Sequence, residues 1–556
     1  MALAFAPRPV APELAGHYRA EGLWDDSTLG AVVARGLQDH PGSRIRIWSR
    51  DRPYDGTFGD VADVARRLAG GLRAAGIEPG DVVSFQLPNW MEAAAAFYAG
   101  ALTGAVLVPI VHIYGARELA YILRQAAPRA HVATPRFGHL DYAEIIDGLR
   151  ADVPSLEQIV FVGDDVPSWG TPWSSLAEAP PVAGPAPIDP DAPCVLGYTS
   201  GTTADPKGVV HTHRTLLAEV RQLTYDAPPS IAPLQAPPGN RPVLLASPVS
   251  HATGMLGGLL SPVVTGSPIN LLDRWDPAHA LAAMLDGDLT GGGGATYFLT
   301  SLLDHPNLTS RHLEHMRYVA LGGAPIPPAV AERADSLGIS LVRAYGSTEH
   351  PSVTGSAHAD SRDRRLYTDG RPMPGVEVRI ASPDGHDLGP GEPGEITTRG
   401  PDLFVGYTDA ALTAARLDTD GWYATGDIGI LDEQGYLTVT DRTADLIIRG
   451  GENVSAAEVE AVLAAMAGVA EVAVVAAPDA RLGEHGCAFI RPMPGVSTPD
   501  LEAIRGYLRL SGLARQKWPE EVRGVDEFDR TPSGKVKKFV LRARLRDEAP
   551  PPQARP

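Results

Sequence analysis

The chain of 556 residues is 44% apolar and 21% charged, which supports a large buried core and excludes collagen-like, coiled-coil and wholly disordered chains. At roughly 150 residues per domain it has room for three to four domains, or for one large layered domain and a smaller one. Its 48 basic and 67 acidic side chains give a net charge of −19, which repels phosphate backbones and anionic lipid and argues against nucleic-acid or membrane partners.

In chain order, Met1 to Pro9 lacks the basic start and long apolar run of a secretory signal. Val61 to Ala75 has apolar residues at helical spacing. Val82 to Leu87 and Ala105 to Ile110 read as strands around a helix over Met91 to Leu102. The run Met91 to Val111 raises the question of a membrane span, but Glu92, Gly100, Gly104 and Pro109 interrupt it and predict a buried helix followed by a buried strand. Further strands are expected at Gln158 to Val162, Cys194 to Tyr198, Val243 to Ala246, Tyr318 to Leu321 and Ser340 to Tyr345. This alternation implies mostly parallel sheets covered by helices. The Pro-rich stretches Pro180 to Pro193 and Pro228 to Pro242 are surface connections.

After about residue 370 the pattern changes to short antiparallel strands at Gly375 to Ile380, Gly394 to Thr398 and Gly435 to Thr440. They are expected to build a small β-barrel-like subdomain over about 370–440. A compact α+β pattern follows, with strands at Leu446 to Ile448 and Val472 to Ala476 and helices at Ser455 to Met466 and Pro499 to Leu510. Ser455 and Glu458 have capping-box spacing. The expected fold is therefore α/β: a large N-terminal domain of stacked βα sheets over 1–441, a small mobile α+β domain over 442–546, and a disordered tail over 547–556. The two cysteines, Cys194 and Cys487, have no ligand-spaced partners, which excludes a disulfide framework or zinc ribbon and fits a reducing cytoplasm.

Only five of the basic residues are lysines: Lys207, Lys517, Lys535, Lys537 and Lys538. In an arginine-rich chain, retained lysines mark places that need a compact point charge. Lys207 closes the run Tyr198-Thr-Ser-Gly-Thr-Thr-Ala-Asp-Pro-Lys-Gly208, which follows an apolar strand and precedes a helix starting near His213. Its small residues let backbone amides approach phosphate oxygens, its hydroxyls donate to them, and Lys207 adds charge. The spacing is not that of a Walker loop. Glu349 beside Thr348 offers hard oxygen suited to Mg²⁺, Gly322 and Gly323 leave a flat slot floored by Tyr345, and Asp427 ends an extended segment where a carboxylate can accept two ribose hydroxyls. Lys537 and Lys538 read as a solvated basic tail, whereas Lys535 follows a Pro-Ser-Gly turn that can carry it into a site.

Six more segments stand in order with this loop: Gly322-Gly-Ala-Pro325, Tyr345-Gly-Ser-Thr-Glu349, Tyr423-Ala-Thr-Gly-Asp427, Asp441-Arg-Thr-Ala-Asp445, Gly450-Gly-Glu-Asn453 and Thr531-Pro-Ser-Gly-Lys535. Together they resemble the adenylate-forming superfamily of acyl-CoA ligases, luciferases and nonribosomal adenylation domains, over about residues 30 to 545. The loop and the segment Tyr345 to Pro351 are similar to those of ligases for alicyclic, cyclohexanecarboxylate-type acids. The resemblance implies a bacterial, cytoplasmic acyl-CoA synthetase that uses ATP, Mg²⁺ and coenzyme A in catabolism or natural-product assembly.

It assigns phosphate binding to Thr199, Ser200, Gly201, Thr202, Thr203 and Lys207, and Mg²⁺ to Glu349 and Thr202. Adenine and ribose fall to Gly322, Gly323, Ala324, Pro325, Tyr345, Gly346, Ser347, Thr348, Asp427 and Arg442. Lys535, His251 and Glu349 are the catalytic candidates, and His251, Gly254, Gly294, Gly323 and Gly346 border the acyl group. Coenzyme A is expected at Arg449, Gly450 and Gly451, and the hinge at Ala444. The run Gly291 to Gly294 is either extra pocket volume for a bulky acid or a flexible loop. Ala204, Ala424 and Ala444 depart from the family pattern and leave open that adenylation is slow or lost. The alternatives are an enzyme that only thioesterifies a supplied acyl-adenylate, with a partner adenylating enzyme, and one that loads a carrier protein. A homodimer is also open.

Overall fold

The computed structural model describes residues 10–199, 206–224, 241–324, 326–442, 445–449, 452–479, 482–511, 513, 515–531 and 534–548. The chain is an α/β protein with a large N-terminal and a small C-terminal domain. The largest sheet has eight strands, in the order Gly406–Tyr407, Lys207–Thr212, Pro193–Thr199, Val106–Pro109, Val82–Gln86, Ala130–Ala133, Gln158–Phe161 and Thr171–Pro172. From Pro193–Thr199 onward every pairing is parallel. The central strand Val82–Gln86 is buried at all five residues, the continuous pattern expected of a strand covered on both faces.

The helix Met91–Thr103 makes the crossover between two of these strands. Glu92 to Thr103 are all buried, so the apolar run belongs to the core, as the interruptions predicted. Its one charge, Glu92, is compensated by Arg52 at 2.5 Å. Gly100 permits the contact with the sheet: a Cβ there would lie 2.3 Å from a methyl of Leu107. No described helix is long and apolar enough to cross a membrane.

The other end of this sheet departs from the parallel expectation. Lys207–Thr212 runs antiparallel to Pro193–Thr199 and is itself paired antiparallel with Gly406–Tyr407. The segment read as a loop leading to a helix is therefore a hairpin, and the helix His213–Leu223 begins only after Val209, Val210 and Thr212 have completed a strand.

A four-stranded sheet joins Tyr318–Gly322, Ser340–Tyr345, Thr354–Gly355 and Arg371–Pro372. Next to it, Glu377–Ala381, Gly394–Arg399, Tyr423–Leu431 and Leu437–Arg442 form an antiparallel meander. The β-barrel-like subdomain is thus corrected to an open sheet: among the described residues its outer strands, Glu377–Ala381 and Leu437–Arg442, do not pair with each other.

The C-terminal sheet contains Glu452–Val454, Ile447–Arg449, Gly483–Pro492, Val469–Asp479 and Glu521–Gly524. Alternation along Val469–Asp479 sends Val474 into one core with Val459, Leu463, Ile504 and Leu508, and Ala473 and Val475 into another with Phe528, Leu541 and Leu545. Two local expectations change here. Ser455 Oγ accepts from the Glu458 amide at 3.0 Å, but the Glu458 carboxylate binds Lys517 rather than closing a capping box. Lys538 is not a solvated tail residue. It heads the helix Lys538–Glu548 and is mostly buried, 2.8 Å from Glu460 and 3.9 Å from Asp445.

Candidate active site

The hairpin of the large sheet closes with Thr199 opposite Lys207. Ser200, Gly201, Thr202, Thr203 and Ala204, which follow Thr199 in the chain, lie outside the described residues. Its flank meets the segment after Ser340–Tyr345. A Cβ on Gly197 would lie 3.0 Å from the Thr348 methyl, and buried His211 donates from Nε2 to the Thr348 carbonyl at 2.7 Å. Burial holds the His211 imidazole below its ordinary pKa. Gly346 lies in a turn closed by the Ser347 amide on the His350 carbonyl at 2.9 Å. A Cβ at Gly346 would sit 1.9 Å from the Pro351 carbonyl oxygen, so this glycine is required by the turn itself.

The turn delivers Glu349, which is 8% exposed. Tyr407, on the strand beside Lys207–Thr212, donates to Glu349 Oε1 at 2.8 Å, and the Tyr407 and Tyr423 hydroxyls are 3.3 Å apart. Burial, with the Glu349 charge next, raises both phenols, so Tyr407 stays a donor. Among the described residues no three acidic, His or Cys side chains gather to form a metal cage. One carboxylate beside the hairpin expected to bind phosphate would fit the habit of Mg²⁺, which takes few protein oxygens and completes its shell with phosphates and water.

Tyr345 Oη donates to Asp427 Oδ2 at 2.7 Å, and Asp427 pairs across the meander with Arg442, whose side chain lies outside the description. Two residues expected at the ribose are thus cross-strand neighbours. Gly322 continues the strand Tyr318–Gly322, and Gly323 has φ +74° with nothing within 4 Å of a Cβ built on it. That is an open backbone edge suited to a flat ring. Ala324 follows; Pro325 lies outside the described residues.

The glycine run is neither a flexible loop nor simple added volume. The Gly294 amide donates to the Ala320 carbonyl at 3.0 Å, and the Gly322 amide donates to the Gly294 carbonyl at 2.9 Å. Cβ atoms at Gly291 and Gly292 would lie 2.6 Å from Met284 Sδ and 3.3 Å from the Met316 methyl. These two glycines let the segment lie against a packed core, which corrects the four-side-chain volume argument. Gly254 is likewise a packing glycine, its Cβ direction being 1.9 Å from the Pro248 carbonyl oxygen.

His251, half-buried, precedes the helix Ala252–Met255, and its buried Nδ1 has no hydrogen-bond partner among the described residues. Burial, then the nearby Lys535 charge, pushes this imidazole down to about 4. Lys535 arrives on a turn in which its carbonyl accepts from the Thr531 amide at 2.7 Å. That turn rests on the wall beside Gly294: a Cβ on Gly534 would be 3.3 Å from Ala295 Cβ and 3.5 Å from Tyr297 Cβ. Arg530 stacks 4.3 Å above the Tyr297 ring and binds Glu471 at 2.5 Å. Arg449 is instead paired with Glu520 at 2.5 Å inside the small domain; Gly450, Gly451 and Ala444 lie outside the described residues.

Tyr407, His211, Tyr297 and Arg530 were not singled out from the sequence. Only pairing between strands distant in the chain brings Tyr407 to Glu349.

The family model described as "AMP-binding enzyme" matches residues 33–408, and "AMP-binding enzyme C-terminal domain" matches 458–535. The chain is 33% identical over 533 residues to the medium-chain fatty-acid–CoA ligase of Escherichia coli (strain K12), covering 94% of this chain and 92% of the relative. It is 36% identical over 522 residues to a 3-[(3aS,4S,7aS)-7a-methyl-1,5-dioxo-octahydro-1H-inden-4-yl]propanoyl:CoA ligase of Mycobacterium tuberculosis, covering 92% and 97%. The crystal structure of ATP-bound MatB from Rhodopseudomonas palustris matches with a TM-score of 0.81 and 27% identity, over 94% of this chain and 99% of that one. With both family models matching in order and relatives at 33% and 36% identity over nearly the whole chain, the chain belongs to the AMP-binding enzymes and is an AMP-forming acid–thiol ligase.

Proposed function

We propose that this ligase activates a bulky, largely apolar alicyclic or polycyclic carboxylic acid and transfers it to coenzyme A. The substrate class rests on similarity to the ligase of a fused-ring propanoic acid and on the match across 92% of the chain. In the proposed chemistry a carboxylate oxygen attacks the α-phosphorus of ATP, the bond to pyrophosphate breaks, and an acyl-adenylate forms. The thiol sulfur of coenzyme A then attacks the acyl carbon, its proton passes to solvent, and AMP departs.

One observation carries the assignment of the reacting centre: Lys535, His251 and the Gly294–Gly322 backbone ladder converge where the small domain meets the large one. Lys535 there stabilises negative charge gathering on the α-phosphoryl oxygens in the transition state. His251, held neutral by burial, lies beside the carboxylate without adding a second cation. Lys207, with Thr199, Ser200, Gly201, Thr202 and Thr203, holds the outer phosphates. Tyr345 and Asp427 orient the ribose with Arg442, and Gly323 lies against adenine. Mg²⁺ arriving with ATP would be held by Glu349 and Thr202 and supplies charge compensation for the triphosphate. Residues to 441 form the nucleotide and acid side, and residues 442–546 form the lid, hinged at Ala444. Rotation of that lid brings Arg449, Gly450 and Gly451 to the thiol path.

The test is a panel of acids offered with ATP, Mg²⁺ and coenzyme A, followed by AMP, pyrophosphate and thioester release. Ring-containing acids should give the highest kcat/KM. Acetate as the best substrate would sink the substrate class, and ADP as the nucleotide product would sink the chemistry.

A further inference from the structure

Behind the turn that delivers Glu349 lies a fully buried polar network with no part in the chemistry above. Asp402 Oδ1 faces His350 Nε2 at 3.2 Å and accepts from Gln222 Nε2 at 3.3 Å. His350 Nδ1 meets Thr398 Oγ1 at 2.9 Å. Glu219, on the helix His213–Leu223, accepts from Ser352 Oγ at 2.6 Å through Oε1. Glu219, Asp402 and His350 are each 0% exposed. Two atoms are left over: Glu219 Oε2 and Asp402 Oδ2 are buried with no donor among the described residues, and the two carboxyl groups are within hydrogen-bonding reach of one another. Two ionised carboxylates in that position would leave both oxygens unsatisfied and place two like charges in a medium that screens them poorly. A single proton between them satisfies both.

We propose that Glu219 and Asp402 share one proton, carried by Glu219 and donated to Asp402, and that this pair is the positioning element that fixes His350 and so aims Glu349 into the nucleotide site. Burial, with the Asp402 charge next, raises the Glu219 carboxyl well above the usual carboxylate range. Burial also acts to raise Asp402, but its interactions with His350 outweigh it and hold that carboxyl below the ordinary value. The other titratable groups facing Asp402 are His211 and Tyr18, whose buried hydroxyl has no partner among the described residues. The link to Glu349 is short. His350 is the next residue, its amide donates to Ser347 Oγ at 3.3 Å, and the Phe404 amide, two residues past Asp402, donates to the Glu349 carbonyl at 2.8 Å. The shared proton also leaves one buried negative charge instead of two behind a site that must attract a polyanion.

This inference rests on the proposed nucleotide site, but its first test does not. Infrared difference spectra of the full-length protein without substrate should show a protonated-carboxyl C=O band that shifts in deuterated water and is lost in Glu219→Gln. The glutamine amide reproduces the protonated acid, donating to Asp402 and accepting from Ser352. Glu219→Gln should therefore keep kcat and the KM for ATP within about twofold of the parent. Glu219→Leu, which cannot donate, should raise the KM for ATP about tenfold with little change in the KM for the acid. No band in the parent protein, or a band that survives in Glu219→Gln, would overturn the shared proton. A glutamine variant as impaired as the leucine variant, or a leucine variant with unchanged KM for ATP, would overturn the positioning role. Should Glu219→Leu not fold, the band and the glutamine kinetics decide. If no acid tried were adenylated while the band behaved as described, the nucleotide-site reading would fail and the shared proton would stand.

Discussion

Lys535 and Lys538 lie three residues apart and meet opposite environments. Lys535 ends a turn placed against Ala295 and Tyr297, the wall of the proposed acid site, near enough for its charge to depress His251. Lys535→Ala should lower pyrophosphate–ATP exchange by roughly 10² to 10³, the usual cost of a lost transition-state charge partner, while thiol transfer from supplied acyl-AMP persists. Equal loss of both steps would refute the division of roles. Lys538, by contrast, is held between Glu460 and Asp445. Lys538→Ala leaves Glu460 without its cationic partner, while Asp445 keeps Arg542 at 2.6 Å, and should destabilise the small domain by about 3 kcal/mol in urea unfolding, against less than about 0.5 kcal/mol for Lys537→Ala. Tyr407→Phe removes the donor on Glu349 Oε1 without changing the ring. It should raise the KM for ATP about threefold to tenfold, the worth of one hydrogen bond to a charged group. An unchanged KM would mean that Glu349 needs no such support.

At the scale of elements, the docking of the Lys535 turn is concentrated in a few contacts. Arg530 spans Tyr297 of the large domain and Glu471 of the small one, and Gly534 fits against Ala295. Tyr297→Ala removes the surface under Arg530 and should slow adenylation about fivefold, the effect of losing roughly 1 kcal/mol of cation–π contact, with the coenzyme A step measured from acyl-AMP unchanged. If both steps slowed together, the contact would be serving the acid pocket rather than the lid. These elements also mark what the sequence can and cannot report. The strands Val82–Gln86 and Val106–Pro109 and the helix Met91–Thr103 were legible because buried periodicity is local. Glycine-rich segments and the lone lysines were legible for the same reason. The strand Lys207–Thr212 was not, since its role as an antiparallel partner depends on Gly406–Tyr407 arriving from two hundred residues away. The glycines at 291 and 292 looked like missing pocket wall because Met284 and Met316, which fill the space, are identified only by packing. Tyr407, His211 and Arg530 were missed on the same ground: a side chain becomes part of a site through its neighbours in space.

Over the whole molecule, the number of imidazoles buried in neutral form ties stability to pH. Burial pushes His112, His213, His251 and His358 down to about 4 and His131 to about 3, from an ordinary value of 6.5. Each stays unprotonated in the folded chain while its unfolded counterpart takes up a proton below 6.5, so stability is fully present above that pH and is lost on the way down. Glu219 and Glu460, raised by burial, act in the other direction: the folded chain keeps protons that the unfolded chain releases above about 4.5. Five groups against at most two leave a net uptake of about three protons or more on unfolding between pH 6 and 5, a slope on the order of 4 kcal/mol per pH unit. Urea unfolding at a series of pH values should therefore show the midpoint falling steeply from 6.5 to 4.5, before most carboxylates titrate. His131→Asn should flatten that slope, because His131 lies inside the large sheet with Ser84 Oγ 2.8 Å from Nδ1 and no hydrogen-bond partner for its buried Nε2 among the described residues, and an asparagine takes up no proton on unfolding. A midpoint that held constant down to 4.5 would show that these imidazoles are already charged in the folded chain, and with them His251, whose neutral form the proposed reaction requires.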